Sequence, residues 1–407
     1  MTKPRLTLDD PAGFVAWLGE VRKRGSVSLD DVDVAQVFAI AAVAALARHD
    51  SREFLLLENS GTTGASRFAH AVGIEEIVAG GVEREPLERD RTVSLTRVKG
   101  RAAVASVAPK IVDLLLPRST SSDAADLFHF VLVELLRNVV QHSQDSAGGI
   151  VVAQHNDAGP YAGAPALQVA VVDNGIGVFE ALRRKHPAIR SPAEALMRAF
   201  EPHVSGTFAE GGSGTVENAG LGLFFVSEMA KMTRGRLFVA SRGATYFLDR
   251  SGSPNSQPVI TNGAAPDYPG TLVAFETALG QVRSYERVVR DIHELARERT
   301  PKRLTHHWLR FEEPPQDATP IVVNVAAEDT VAAQAFSAKV LEPRLMRRES
   351  IGLDFRNLRV CTQSFLHALL HESVRLAWAL KVSVYILHAT PAVRAQLEFV
   401  EAYSLGG

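Results

Sequence analysis

Apolar residues between Asp126 and His142 recur at three- and four-residue steps, through Leu127, Val131, Leu135 and Val139, which is the helical period. Ser121, Ser122 or Asp123 can cap the N-terminus of this helix just after Pro117. Glu134, Asn138 and His142 stand four apart, so they share one helix face. A carboxylate and an amide on an otherwise greasy helix mark either a solvated stripe or a ligand site. The segment from Ala102 to Leu116 is apolar at the same spacing and leads into it. Beyond it, Gly149–Gln154, Gln168–Val172 and Gly270–Phe275 read as strands, and Arg236–Ser241 with Thr245–Leu248 as a hairpin. Ala193–Phe200 and FFVSEMAKMTR (224–234) read as helices, the second stopped by Gly235.

The same reading divides the chain. Phe14–Val21, Val34–Arg48 and Ser66–Val72 have helical character, while Gly25–Leu29 and Glu53–Leu57 resemble strands. That alternation predicts a small α/β unit over residues 1–100, with 80–100 as a charged connection. The central domain takes residues 101–280. Ser284–Arg299 is a charged helix, and Pro301, Pro314, Pro315 and Pro320 punctuate a helical linker over 281–315. A second small α/β unit fills 316–407. Its strands are IVVNV, IGLDF and VSVYIL, and its helices are Ala333–Val340, Gln363–Leu380 and Pro391–Phe399. Pro391 sits in the favoured first helical turn.

Composition changes this picture little. Hydrophobic residues make up 46% of the 407 and charged residues 22%, as expected of folded domains. A formal net charge of -2 gives no long-range attraction to nucleic acid or anionic lipid. Cys361 is the only cysteine, which excludes an internal disulfide framework and a cysteine-based zinc cluster and suits a reducing cytoplasm. The N-terminus lacks a signal-peptide layout, and the longest apolar run, Val37–Ala47, is too short to span a bilayer and reads as a buried helix.

The remaining motifs carry chemistry. The strand ending at Val172 runs into Asp173-Asn174-Gly175-Ile176-Gly177. Two glycines so close let backbone approach a flat ligand, and a partly buried Asp173 could accept a hydrogen bond from an exocyclic amine. As bare structure, DNG is a turn. The stretch HVSGTFAEGGSGTVENAG (203–220) has the composition of a flexible loop and the length of a lid. It ends at Gly220-Leu221-Gly222 immediately before a helix, where free N–H groups at the positive end of the helix dipole suit phosphates.

In this order, ExxxNxxxH on a helix, DNGIG after a strand, a Gly-rich lid, GLGL before a helix and GT opening a strand resemble the GHKL ATP-binding family: gyrase, the heat-shock chaperone, histidine kinases and mismatch-repair ATPases. Glu134, Asn138 and His142 match its N-box. Asp173, Gly175 and Gly177 match the first glycine box, Gly220 and Gly222 the second, and Thr271 the threonine of the final strand. The resemblance covers roughly Val112 to Leu279. It implies a Bergerat-type α/β sandwich, with helices over one face of a mixed sheet and ATP held between helices and lid. Asp173 would then read the adenine amine with Thr271 in support, and Asn138 would offer oxygen to Mg²⁺. Gly220, Leu221 and Gly222 would hold phosphates, and Glu134 would be the general base. His142 takes a structural or supporting role.

Both small outer units resemble STAS-type domains, so the fold class expected is α/β, a central ATP-binding sandwich between two STAS-like flanks. In the last unit, LDFRNLRVCTQSFLHALL places Ser364 where related anti-anti-sigma domains carry a phosphorylated serine, although Thr-Gln-Ser-Phe replaces their acidic-serine-serine-glycine pattern. Ser364 is therefore a candidate phosphoacceptor or only a helix cap. His293, in Ile292-His293-Glu294-Leu295, reads as an exposed histidine on a charged helix rather than an acceptor. The expectation is a cytoplasmic, Mg-dependent ATP-binding and ATP-hydrolysing regulator whose nucleotide state controls STAS-like interaction domains. The alternatives are an anti-sigma-type serine/threonine kinase and a non-catalytic nucleotide-binding scaffold, the latter opposed by the intact Glu134 and Asn138. Expected partners are ATP, proteins met through the STAS-like units and a second copy in a homodimer, without membrane or direct nucleic-acid contact.

Overall fold

A computed structural model describes residues 3–48, 54–80, 88–89, 91–116, 120–156, 161, 164–202, 204–206, 221–262, 268–281, 284–298, 307–316 and 318–406. It separates into two compact units, one of residues 1–200 with 226–283, the other of 201–225 with 284–407.

The first unit is built on an eight-stranded sheet. Its spatial order is Val259–Asn262, Ala244–Asp249, Arg236–Ser241, Thr271–Ala278, Ala166–Asp173, Gly149–Asn156, Thr92–Val98 and Glu88–Arg89. Each of these pairings is antiparallel, where the resemblance implied a mixed sheet. Ala166–Asp173 and Arg236–Ser241 are buried along their whole length, and Gly149–Asn156 through its first five residues. A strand apolar on successive residues needs cover on both faces of the sheet.

One face is covered by the helices Arg101–Leu115 and Ser122–His142. The other is covered by the N-terminal segment. Ile150, Val152, Ala170, Val172, Phe238, Ala240, Leu272 and Ala274 share one core with Phe14, Leu18, Phe38 and the Val37–Ala47 helix. The register confirms a single face, since Val172 lies opposite both Ile150 and Leu272, and Leu272 opposite Ala240. Phe14, Phe38 and Phe238 meet edge-on, with ring centroids 4.9–6.2 Å apart. Every residue of Val37–Ala47 is buried, as a helix hydrophobic all round must be.

The expected boundary at residue 100 is therefore corrected. Residues 92–98, read as a connection, form a strand of the main sheet, and among the described residues the N-terminal segment has no sheet of its own beyond two pairs of two-residue strands. Its apolar surface is satisfied by the large sheet, so it is a layer of the same compact unit.

Polar groups lock that layer. Arg236 pairs with Glu276 at 2.6 Å and with Asp9 at 2.6 Å, and Gln168 Nε2 donates to Glu276 Oε2 at 2.9 Å and to Gln36 Oε1 at 3.3 Å. Gln36 Oε1 in turn accepts from the Leu8 amide at 2.8 Å.

The second unit holds a four-stranded parallel sheet in the order Leu309–Arg310, Val384–Leu387, Ile351–Asp354, Thr319–Val322. The Gln363–Leu380 helix spans the residues expected, and Pro391–Gly406 runs longer than expected. Tyr285–Glu298 buries Tyr285, Val289, Ile292 and Ala296 and packs against the Pro391–Gly406 helix. Leu309–Arg310 is an edge strand of the sheet. Of the stretch 281–315, expected as a linker, residues 284–298 and 307–315 thus fall in this unit. His293 is not exposed either: it is buried, with Phe225 at 4.8 Å and Phe399 at 5.2 Å between ring centroids.

Candidate functional site

The Ser122–His142 helix starts where the capping residues indicate, the Ser121 hydroxyl accepting from the Ala124 amide at 3.3 Å. It places Glu134, Asn138 and His142 on one face. Glu134 is buried and its Oε1 has no hydrogen-bond partner; Asn138 Nδ2 is likewise buried without one. Burial raises the Glu134 carboxyl above its ordinary range, against the opposing pull of Arg137. Burial also lowers His142 to about 4, so its imidazole is neutral near pH 7.

Asp173 closes the Ala166–Asp173 strand, opposite Thr271 in register. It is buried, and burial pushes its carboxyl up to about 7. The Gly175 amide, donating to Oδ1 at 2.8 Å, works against that rise, while nearby Asp145 adds to it.

The glycines have packing reasons of their own. A Cβ on Gly175 would stand 1.9 Å from the Ser143 carbonyl oxygen, and the next amide, Ile176, donates to that oxygen at 2.8 Å. Gly175 thus lets the loop close onto the end of the Ser122–His142 helix. Gly177 has φ +73°, and a Cβ there would meet Arg242 and Ser241. Ser241 Oγ accepts from the Val178 amide at 2.9 Å and donates to the Gly270 carbonyl at 2.8 Å, joining the residues after Gly177 to the start of the last strand. Gly270, the glycine of the GT pair, also has no room for a side chain: a Cβ would lie 2.0 Å from the Asp173 carbonyl.

Other expected residues are less gathered. Leu221 and Gly222 open the Gly222–Met232 helix, with Leu221 buried; Gly220 and the lid residues 207–220 lie outside the described residues. Gly177–Arg183 is a further short helix that loop-like composition concealed. Ser364 is buried inside the first turn of its helix. The cap is Thr362, whose hydroxyl accepts from the Phe365 amide at 3.1 Å, so the capping role considered for Ser364 is corrected. Among the described residues no group of three or more His, Cys, Asp or Glu could hold a metal ion, and no helix is long and apolar enough to cross a membrane.

Residues 123–254 match the family model described as histidine kinase-, DNA gyrase B-, and HSP90-like ATPase. The match supports an ATP-binding domain of the GHKL ATPase and kinase type in this stretch, consistent with the α/β architecture around it. Comparisons with curated proteins and with solved structures gave no match.

Proposed function

We propose that the chain is a Mg²⁺-dependent ATPase of the GHKL type whose nucleotide state controls its C-terminal unit. The observation that carries this reading is Glu134. It is a buried carboxylate with an unpartnered oxygen and a raised proton affinity, one helical turn before an amide with its own unpartnered nitrogen. Burying such groups is costly unless something polar meets them, and a hydrated nucleotide fits that need.

Asp173 would accept a hydrogen bond from the adenine amine, with Thr271 beside it in register. Asn138 would present its amide oxygen to Mg²⁺, an ion that prefers oxygen ligands and shares them with phosphates. Bound there, Mg²⁺ would neutralise phosphate charge. Gly220, Leu221 and Gly222 would supply backbone N–H groups at a helix N-terminus. Glu134 would take the proton of the attacking water as the bond to the γ-phosphorus forms and the bond to the ADP oxygen breaks. The parallel C-terminal sheet supports reading that unit as a STAS-like interaction domain.

The test uses γ-labelled ATP and the full chain with Mg²⁺. Release of free phosphate, abolished in Glu134→Gln while ADP still binds in a calorimeter, is the expected result. Label retained on protein would replace hydrolysis by phosphorylation, with Ser364 as the residue to map. Unchanged turnover in the variant would remove Glu134 from the chemistry.

A further inference from the structure

Asn174, between the adenine-site carboxylate and the first glycine, was read in the sequence as part of a turn. In the structure it is buried and fully engaged. Its backbone N–H donates to Asp145 Oδ2 at 2.9 Å, its side-chain Nδ2 donates to the Ala45 carbonyl, and its Oδ1 accepts from the Tyr268 hydroxyl at 3.0 Å. Ala45 belongs to the fully buried Val37–Ala47 helix.

The next residue of that segment, Arg48, has no exposed surface. Its guanidinium reaches the loop after the Ser122–His142 helix, with Nη2 on Asp145 Oδ2 at 2.8 Å and Nη1 on the Gly148 carbonyl at 2.7 Å. Asp145 Oδ2 therefore receives both the Arg48 guanidinium and the Asn174 peptide. Its Oδ1 accepts from the Ala147 amide at 2.9 Å, and its own amide donates to Ser143 Oγ at 3.1 Å. One carboxylate joins three pieces of chain: the N-terminal layer, the end of the Ser122–His142 helix and the loop that begins at Asp173.

An apolar side chain would cover the sheet here at less desolvation cost than a guanidinium. The charge and its fork of donors must therefore be explained by what they hold. What they hold is the peptide immediately after Asp173.

We infer that Arg48, which lies well outside the matched residues 123–254, is a positioning residue of the nucleotide site: through Asp145 it fixes the Asn174 peptide and so the aim of the Asp173 carboxylate. The inference rests on the reading of Asp173 as the adenine acceptor. It makes the N-terminal layer part of the binding apparatus, and any partner that shifts the Val37–Ala47 helix would change nucleotide affinity.

The charges around Asp173 supply a readout that a purely structural role would not move. Asp145 raises and Arg48 lowers its proton affinity, with the Tyr268 hydroxyl also nearby. The ionised carboxylate is the stronger acceptor for the adenine amine, so ADP binding strengthens as pH rises through about 7 in the unmodified chain.

The experiment is calorimetric titration of the full chain with Mg-ADP and Mg-GDP across pH 6–9 for the parent, Asp173→Asn, Arg48→Lys, Arg48→Met and Arg48→Met with Asp145→Asn. Arg48→Met is expected to weaken ADP binding about tenfold, the scale of one lost charge-assisted hydrogen bond. It should also reduce the preference for ADP over GDP and move the binding midpoint to higher pH. Arg48→Lys keeps the charge and loses the fork, so it should leave the midpoint in place and weaken binding less. The double variant removes both charges and should return the midpoint toward the parent. Parental affinity and midpoint in Arg48→Met would overturn the inference while Asp173→Asn remained weak; should Arg48→Met not fold, parental affinity in Arg48→Lys would do the same. Parental binding in Asp173→Asn would instead overturn the adenine reading and the inference resting on it.

Discussion

Arg236 and Glu276 lie directly opposite each other on neighbouring strands and pair at 2.6 Å with almost no exposed side-chain surface. Glu276 also accepts from Gln168, and Arg236 reaches Asp9 of the N-terminal segment. Removing one member of a buried pair strands the other charge. Glu276→Ala should therefore cost about 3–5 kcal/mol, whereas replacing both by apolar residues, Arg236→Met with Glu276→Leu, should cost less than the single change. Urea denaturation of the three proteins checks the order; equal losses would deny the coupling.

Gly175→Ala tests the close approach of the Asp173 loop to the helix end. The added methyl would meet the backbone oxygen and carbon of Ser143, at 1.9 and 2.5 Å, and neither can move without the helix. Destabilisation of about 1–3 kcal/mol is expected from such overpacking, together with weakened ADP binding because the loop must lift. Parental melting and affinity would show that the loop has slack.

Asp173 makes stability and ligand binding respond to pH in opposite directions. The folded protein keeps its proton up to about pH 7, whereas the group's ordinary value is 3.8. Between these values the folded state binds more protons than the unfolded chain, so this group's contribution to stability is greatest below about 4 and declines as pH rises to about 7. Adenine binding is favoured by the charged form, the stronger acceptor, and gains over the upper part of that range. Asp173→Asn should flatten the decline in stability without nucleotide; an unchanged slope in denaturation midpoints from pH 4 to 7 would contradict the assignment.

At the head of the Gln363–Leu380 helix, Thr362 and Ser364 are separable. Thr362→Ala removes the hydroxyl that accepts from the Phe365 amide and should cost about 0.5–2 kcal/mol. Ser364→Ala removes no cap and should cost less. The reverse order in thermal or chemical melts would return the capping role to Ser364.

The sequence was most legible where period and composition coincide. The helix carrying Glu134 and Asn138, the Arg236–Ser241 hairpin and the Gln363–Leu380 helix all appear where their patterns put them. It was least legible where a segment's partner is remote. Thr92–Val98 carries polar residues at alternating places and looks like a connection until Gly149–Asn156 pairs with it. The strand-like stretches near Val27 and Leu56 shrink to two residues because the adjoining helices take their cover from a sheet more than a hundred residues downstream. At the site, Asp173 announced itself by its glycines, but Asn174 and Arg48 did not, since neither has a pattern until Asp145 brings them together.

Thr271–Ala278 sits between Ala166–Asp173 and Arg236–Ser241, yet it is the last of the eight strands to leave the ribosome. Until it arrives, the sheet is two half-sheets with bare inner edges, and Asp173 has no neighbour across from it. A fragment trimmed to residues 123–254 would hold every early motif and still lack the strand that joins them, leaving unpaired backbone edges of the kind that aggregate. Expression should therefore run from the first residues through at least Ala278, and the nascent chain has reason to delay closure until that point is made.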